Sequence, residues 1–176
     1  YTMVIEMEAP PLEPVWPSGI TVQSMAPGQE RAVYRADYEA FKDHWGYVEA
    51  PFEEGFQRWH YFVTNHADYD PSVFFLAMDG AEIAGLALCF PKDNEFPDMA
   101  WVDDLAVRRP WRRQGVALAL LHHAFGEFYR RGIQKVGLGV DASSLTGATR
   151  LYENAGMHVF RQYDSYEKEL QPRRHL

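Results

Sequence analysis

The stretch 107–116, Val-Arg-Arg-Pro-Trp-Arg-Arg-Gln-Gly-Val, constrains this chain more than any other, because it sets arginines and a bare glycine between two strongly apolar segments. Upstream, 99–107 (Met-Ala-Trp-Val-Asp-Asp-Leu-Ala-Val) reads as a strand. Downstream, 114–131 carries apolar residues at Ala117, Leu120, Leu121, Ala124 and Phe128, which is helical spacing. Strand, basic loop and helix in that order make a place for phosphates. Gly115 leaves backbone N–H groups uncovered, and a helix N-terminus adds roughly half a positive charge, so amides and dipole act on an anion together.

The remaining pattern is regular. Residues 1–8 alternate like a strand and run into prolines at 10, 11, 14 and 17, a stiff connector with little but Leu12, Val15 and Trp16 to pack. A short strand is expected over 20–24. Pro27 is expected to open a helix that runs to about residue 43, and Pro51 a second one in which Phe52, Phe56, Trp59 and Val63 repeat at helical spacing through Asn65. Strands over 73–78 and 82–90 flank Asp79-Gly80, a strong hairpin signal. After the basic loop and its helix, Gly132 marks a stop, 134–140 reads as a strand, 146–155 as a helix capped by Gly156, and 157–169 as the closing strand or strands. The division expected is 1–18, strand and Pro-rich connector; 19–170, one mixed α/β domain; and 171–176, a frayed tail.

Charge and cysteine content narrow the function classes. A net charge of −8 and an isoelectric point near 5.3 argue against nucleic acid as the main partner and suit a cationic one. The single cysteine, Cys89, lies in an apolar run and reads as a buried structural thiol, which fits a reducing, cytoplasmic setting. No apolar run approaches the roughly 20 residues that span a bilayer, and 1–20 lacks a basic-then-apolar leader, so no membrane partner is expected.

Arg112-x-x-Gly115-x-Ala117 resembles the Arg/Gln-x-x-Gly-x-Gly/Ala loop of the GNAT superfamily of N-acetyltransferases. Asp104-Leu105-Ala106-Val107 before it and Leu151-Tyr152-Glu153-Asn154-Ala155-Gly156-Met157 after it match the same family in order and separation. The likeness is strongest over 73–169 and extends loosely back to residue 19. It implies a central, mostly antiparallel sheet of six to seven strands with about four helices. The fourth and fifth strands of that sheet, here 99–107 and 134–140, would splay to admit acetyl-CoA. The connector and the non-methionine first residue resemble the second half of a tandem GNAT protein similar to mycothiol synthase. That makes an N-terminal GNAT domain the partner of 1–18; an arm packing on its own domain or on a homodimer mate is the equal alternative.

The resemblance implies transfer of an acetyl group to an amine, which sets three tasks. The diphosphate falls to the backbone of Arg113, Gln114, Gly115, Val116 and Ala117 and the side chains of Arg112 and Arg113. Leu105, Ala106 and Val107 would pair through their backbone with the amide-rich pantetheine arm, as one strand pairs with another. Deprotonating the acceptor ammonium needs a partly buried carboxylate, and Asp103 and Asp104 are the candidates, Asp103 slightly favoured. Neighbours on a strand face opposite ways, so only one reaches the cleft unless a bulge intervenes. Tyr152 matches the tyrosine that protonates the leaving thiolate. Many relatives carry an asparagine before the last helix; here Ser144-Leu145-Thr146 stands there, so Ser144 and Thr146 are candidate coenzyme contacts.

For the acceptor, a small molecule bearing an amine, Trp45 and Tyr47 are equally candidates for pocket wall or core. Asp93, Glu95 and Asp98 could attract an amine or merely be solvated. No metal site is expected: His122 and His123 face different ways on one helix and lack partner spacing. Gly137-x-Gly139 lies in a strand and no Gly-x-Gly-x-x-Gly occurs, so a dinucleotide fold is not indicated. Two functions stand: an N-acetyltransferase acting by direct attack, and a non-catalytic acyl-CoA-binding half of a tandem protein.

Overall fold

Adjacent phenylalanines at 74 and 75 are both buried, so the strand that carries them must be covered on both faces. The computed structural model describes residues 1–42, 50–141 and 147–164. Its strands are β1 (Thr2–Glu6), β2 (Ile20–Ser24), β3 (Phe74–Asp79), β4 (Glu82–Phe90), β5 (Ala100–Val107), β6 (Lys135–Gly139) and β7 (His158–Arg161). Its helices are α1 (Glu30–Phe41), α2 (Phe52–Asn65), α3 (Val116–Arg130) and α4 (Ala148–Asn154). The strands form one sheet in the order β2-β3-β4-β5-β6-β1-β7, antiparallel except where β5 meets β6. This is the mixed α/β architecture expected. Helices α1 and α2 lie on the face that Phe74 and Phe90 share with His66; α3 lies on the other, where His123 meets Phe75 edge-on at 4.7 Å.

Several boundaries shift for local reasons. The first helix starts at Glu30, not Pro27, because Pro27 and left-handed Gly28 (φ +88°) form a turn closed by Gln29 N–H donating to the Ala26 carbonyl at 3.1 Å. Likewise α3 waits for Gly115 (φ +92°) and α4 for Gly147 (φ +72°), since a residue in that region cannot continue a right-handed helix. The hairpin loop is Gly80-Ala81; Asp79 belongs to β3, opposite Glu82. β2 keeps the 20–24 bounds expected, β7 ends at Arg161, and the predicted strand residues beyond Asp164 and the 171–176 tail lie outside the described residues.

Residues 2–6 occupy the interior of the sheet. Strand β1 runs antiparallel to β6 from Thr2↔Gly139 to Glu6↔Lys135 and pairs with β7 on its other edge. Met3 is fully buried. The proline connector then crosses the α3 side, where Trp16 packs against His123 at 6.1 Å, while Leu12 and Val15 stay exposed. No helix among the described residues is long and apolar enough to cross a membrane.

Candidate active site

The splay is explicit in the ladder. β5 and β6 pair only at Ala100↔Val136, Trp101↔Gly137 and Val102↔Leu138; beyond Val102, β5 is paired with β4 alone. Two glycines fix the root of this cleft. A Cβ on Gly137 would lie 2.9 Å from Cζ3 of Trp101 and 2.8 Å from Sδ of Met99, so the indole crosses β6 only because Gly137 is bare. Gly137-x-Gly139 thus belongs to packing. On the opposite face, a Cβ on Gly85 would meet the Ala106 carbonyl at 2.8 Å and Val116 Cγ1 at 3.2 Å, so a glycine here lets the start of α3 sit close over β4.

From the open end of β5 the chain makes a braced turn into α3. The Arg108 guanidinium holds Glu39 and Glu82 at 2.8 Å each and donates to the Ile83 carbonyl at 3.0 Å. Trp111 Nε1 donates to Asp79 Oδ2 at 2.8 Å. Arg112, half-buried, donates from Nε to the Val107 carbonyl at 2.9 Å and from Nη2 to the Ala40 carbonyl at 2.8 Å. It is a strut between β5 and the end of α1. Arg113 is exposed with a left-handed φ of +59°, and Gln114 donates back to the Pro110 carbonyl at 2.8 Å. Left-handed Arg113 and Gly115 bracket the turn onto the first amides of α3, which have no acceptor within the helix, and the space above Gly115 is open. The residues present fit a diphosphate. Val116 is buried and Ala117 half-buried, so both could contribute only backbone; Leu105 and Val107 pack their side chains against the core, as expected.

A bulge does intervene in β5, so the expectation that only one aspartate reaches the cleft gives way. Leu88 pairs with Asp104 and Cys89 with Val102, which leaves Asp103 as the extra residue and brings both aspartates to the α1/α2 face. Burial, with Asp103 adding to it, pushes Asp104 up to about 7. Burial also raises Asp103, opposed by His66 at the end of α2. Asp103 lines a cavity of about 90 Å³ with Phe62, His66, Phe90, Lys92 and Trp101. A third carboxylate, which sequence reasoning missed, is Asp37 on α1: burial and the charges of Asp104 and Asp103 raise it well above the usual range. The signal was present, since Asp37 stands four residues after buried Val33 and three before buried Ala40, on the stripe that meets the sheet.

Other candidates sort plainly. Tyr152 on α4 is almost buried, and that burial raises its hydroxyl above the usual tyrosine range. Cys89 is fully buried, and burial together with Asp103 and Asp104 holds its thiol protonated. Asp93 Oδ1 accepts from the amides of Glu95 and Phe96 within the loop, while Glu95 pairs with Arg161 of β7 and Asp98 approaches Lys135 of β6. His122 and His123 are both pushed down by burial in the core. No group of side chains among the described residues could hold a metal ion. Trp45, Tyr47, Ser144 and Thr146 lie outside the described residues.

The pattern of the Acetyltransferase (GNAT) family matches residues 32–157. The chain is 29% identical over 162 residues to a mycothiol acetyltransferase of Streptomyces scabiei, covering 90% of this chain and 49% of that protein. A GCN5-related N-acetyltransferase from Sphaerobacter thermophilus superposes with a TM-score of 0.74 at 42% identity, covering 90% of this chain and 47% of that one. The ribosomal-protein-S18-alanine N-acetyltransferase of Escherichia coli superposes with a TM-score of 0.58 at 25% identity, over 78% and 76% of the two chains. This chain therefore spans about half the length of the first two relatives. With its splayed sheet, it belongs to the GNAT family of acetyltransferases.

Proposed function

We propose that this domain moves the acetyl group of acetyl-CoA directly to the primary amine of a small, cationic acceptor, in a reducing, cytoplasmic setting. The observation that carries this reading is the pair of unlike surfaces meeting at one cleft: an amide-rich, basic turn at 112–117 and a carboxylate cluster on the bulge of β5. The diphosphate lies on the backbone of 113–117, with the open edge of β5 from Leu105 to Val107 pairing the pantetheine amides. Acetyl-CoA supplies an activated thioester. The acceptor enters on the α1/α2 face, where Asp103 draws its ammonium beside the Trp101 ring and Asp104, poised near neutrality, takes the proton. Tyr152 serves the leaving thiolate, and Cys89, deep in the sheet, leaves direct attack as the route.

A specific observation keeps a second reading in play. The chain spans half of its two longest-matching relatives, as one half of a tandem protein would, and such a half can bind the coenzyme without turning it over. Thermal unfolding with and without acetyl-CoA, against the nicotinamide dinucleotide as control, followed by amine-dependent thiol release, decides between them. Ligand at about 100 times its dissociation constant adds roughly 2.7 kcal/mol of stability. A selective rise followed by thiol release with a cationic amine supports transfer. A rise without release for any amine supports the binding half, and no rise overturns the coenzyme assignment.

A further inference from the structure

The cavity beside Asp103 is small and two of its walls are fixed, so it limits what can enter. It holds about 90 Å³ and is walled by the rings of Phe62, Phe90 and Trp101, with His66 and Asp103. Phe90 is clamped: the His66 ring lies 4.2 Å from it and Phe74 meets it edge-on at 5.8 Å. Trp101, opposite Phe90 in the ladder, is held across β6 over bare Gly137. Phe62 on α2 differs. It is 56% exposed and meets His66 edge-on at 6.0 Å, so it forms the outer lip.

The polar groups of the wall are unequal. Asp93 Oδ1 already accepts the amides of Glu95 and Phe96. His66 Nδ1 accepts the Asp68 amide at 3.2 Å, so the neutral ring offers only its Nε2–H, a donor that suits a carboxylate and not an ammonium. Asp103 is the group left to receive a positive charge, and aromatic faces around it favour a cation that has shed its water. Exposed Lys92 sets a like charge on the rim, against a second ammonium close behind the first. Size decides the rest. An apolar cavity of about 150 Å³ takes a benzene ring, so about 90 Å³ takes roughly three or four heavy atoms in line and no six-membered ring.

We propose that this cavity admits the acceptor by an ammonium at the end of a short, unbranched alkyl stem, with Asp103 at the nitrogen and the three rings along the stem, and that it excludes amines borne on a ring. The proposal rests on the acetyltransferase reading and deepens it by naming the acceptor class. Phe62 is then the specificity-determining residue, since of the three rings it alone stands on α2, outside the packed sheet.

The test is an NMR titration of the intact protein with propylamine and with cyclohexylamine at neutral pH, following the His66 ring in the wild type, Phe62→Ala and Asp103→Asn. In the wild type, propylammonium is expected to bind about 10- to 200-fold more tightly than cyclohexylammonium, the range over which misfit in an apolar pocket discriminates. Phe62→Ala should bring the two amines within a few-fold of each other by admitting the ring, and Asp103→Asn should lose propylammonium. Equal or tighter binding of the ring amine by the wild type, no response to propylammonium, or a preference that survives Phe62→Ala overturns the proposal. Should Phe62→Ala not fold, the wild-type pair and Asp103→Asn still decide. Thiol release from acetyl-CoA with the same amines is read separately: the stated binding preference without release upholds the cavity assignment and counts against the acetyltransferase reading.

Discussion

The two sides of the cleft are built by opposite means. On the side proposed for the coenzyme, the 108–117 turn presents backbone, its conformation set by left-handed residues at 113 and 115 and braced by Trp111, Arg108 and Arg112 against Asp79, Glu39, Glu82 and Ala40. On the side proposed for the acceptor, the titratable groups are side chains from α1, the α2 end and β5, and their character depends on burial and on one another. A site made of main chain takes its conformation from a few contiguous residues, even where, as here, distant elements brace it. A site made of buried carboxylates is specified only by the assembled fold.

Separating the two sides experimentally sharpens this contrast, and the largest expected effect is chemical. Asp104→Asn should lower acetyl transfer by about 10²- to 10⁴-fold, the usual worth of a general base, while stabilisation by acetyl-CoA persists. Loss of both would mean that the sides are not independent. Arg112→Glu should abolish coenzyme stabilisation, because it removes the donors to Val107 and Ala40, each charge-assisted bond being worth about 1.5–3 kcal/mol, and places an anion by the phosphates. A variant that binds normally would show that the turn stands without its strut. For Tyr152→Phe, steady-state kinetics should give turnover slower by about 10- to 100-fold with coenzyme affinity kept; unchanged turnover would remove its role as acid.

The smallest effect is one of stability. Asp104 binds its proton more tightly folded, near pH 7, than unfolded, near pH 4, so between those values the folded state carries more protons and stability falls as pH rises. Denaturant midpoints of the unliganded protein at pH 5 and pH 8 should therefore differ in that direction, and Asp104→Asn should flatten the difference. Asp70, held below its usual range by Ser72 and Arg131, works with the opposite sign and is common to both proteins, so the comparison reports Asp104 together with its effect on the raised Asp37 and Asp103.

What was legible follows the same division. The strand–turn–helix of the coenzyme side, the span of α2 and the hairpin were all readable, since each is written in contiguous residues. The exact helix starts were not, because Gly28, Gly115 and Gly147 take left-handed angles that composition does not reveal. The bulge at Asp103 could be named only as a condition, since register is a property of two strands and one of them lies fifteen residues away. Asp37 escaped notice because an acid on a helix reads as solvent-facing until the neighbouring Val33, Ala36 and Ala40 are seen to be buried around it. His66 escaped for the same reason, its place beside Asp103 being made by the packing of the α2 end on Phe90.

The placement of β1 bears on how such a cleft comes into being. Its ladder joins the first residues of this chain to strands near the other end, Glu6 to Lys135 and Val4 to His158, so the far wall of the cleft cannot close until nearly the whole domain has been synthesised. Contacts this distant in sequence are slow to form, and a growing chain must carry an unpaired strand through most of its length. The hairpin half of the sheet, β2 to β4 with α3, has no such debt to the other end. We expect the nascent domain to acquire its coenzyme turn early and its enclosed cleft last.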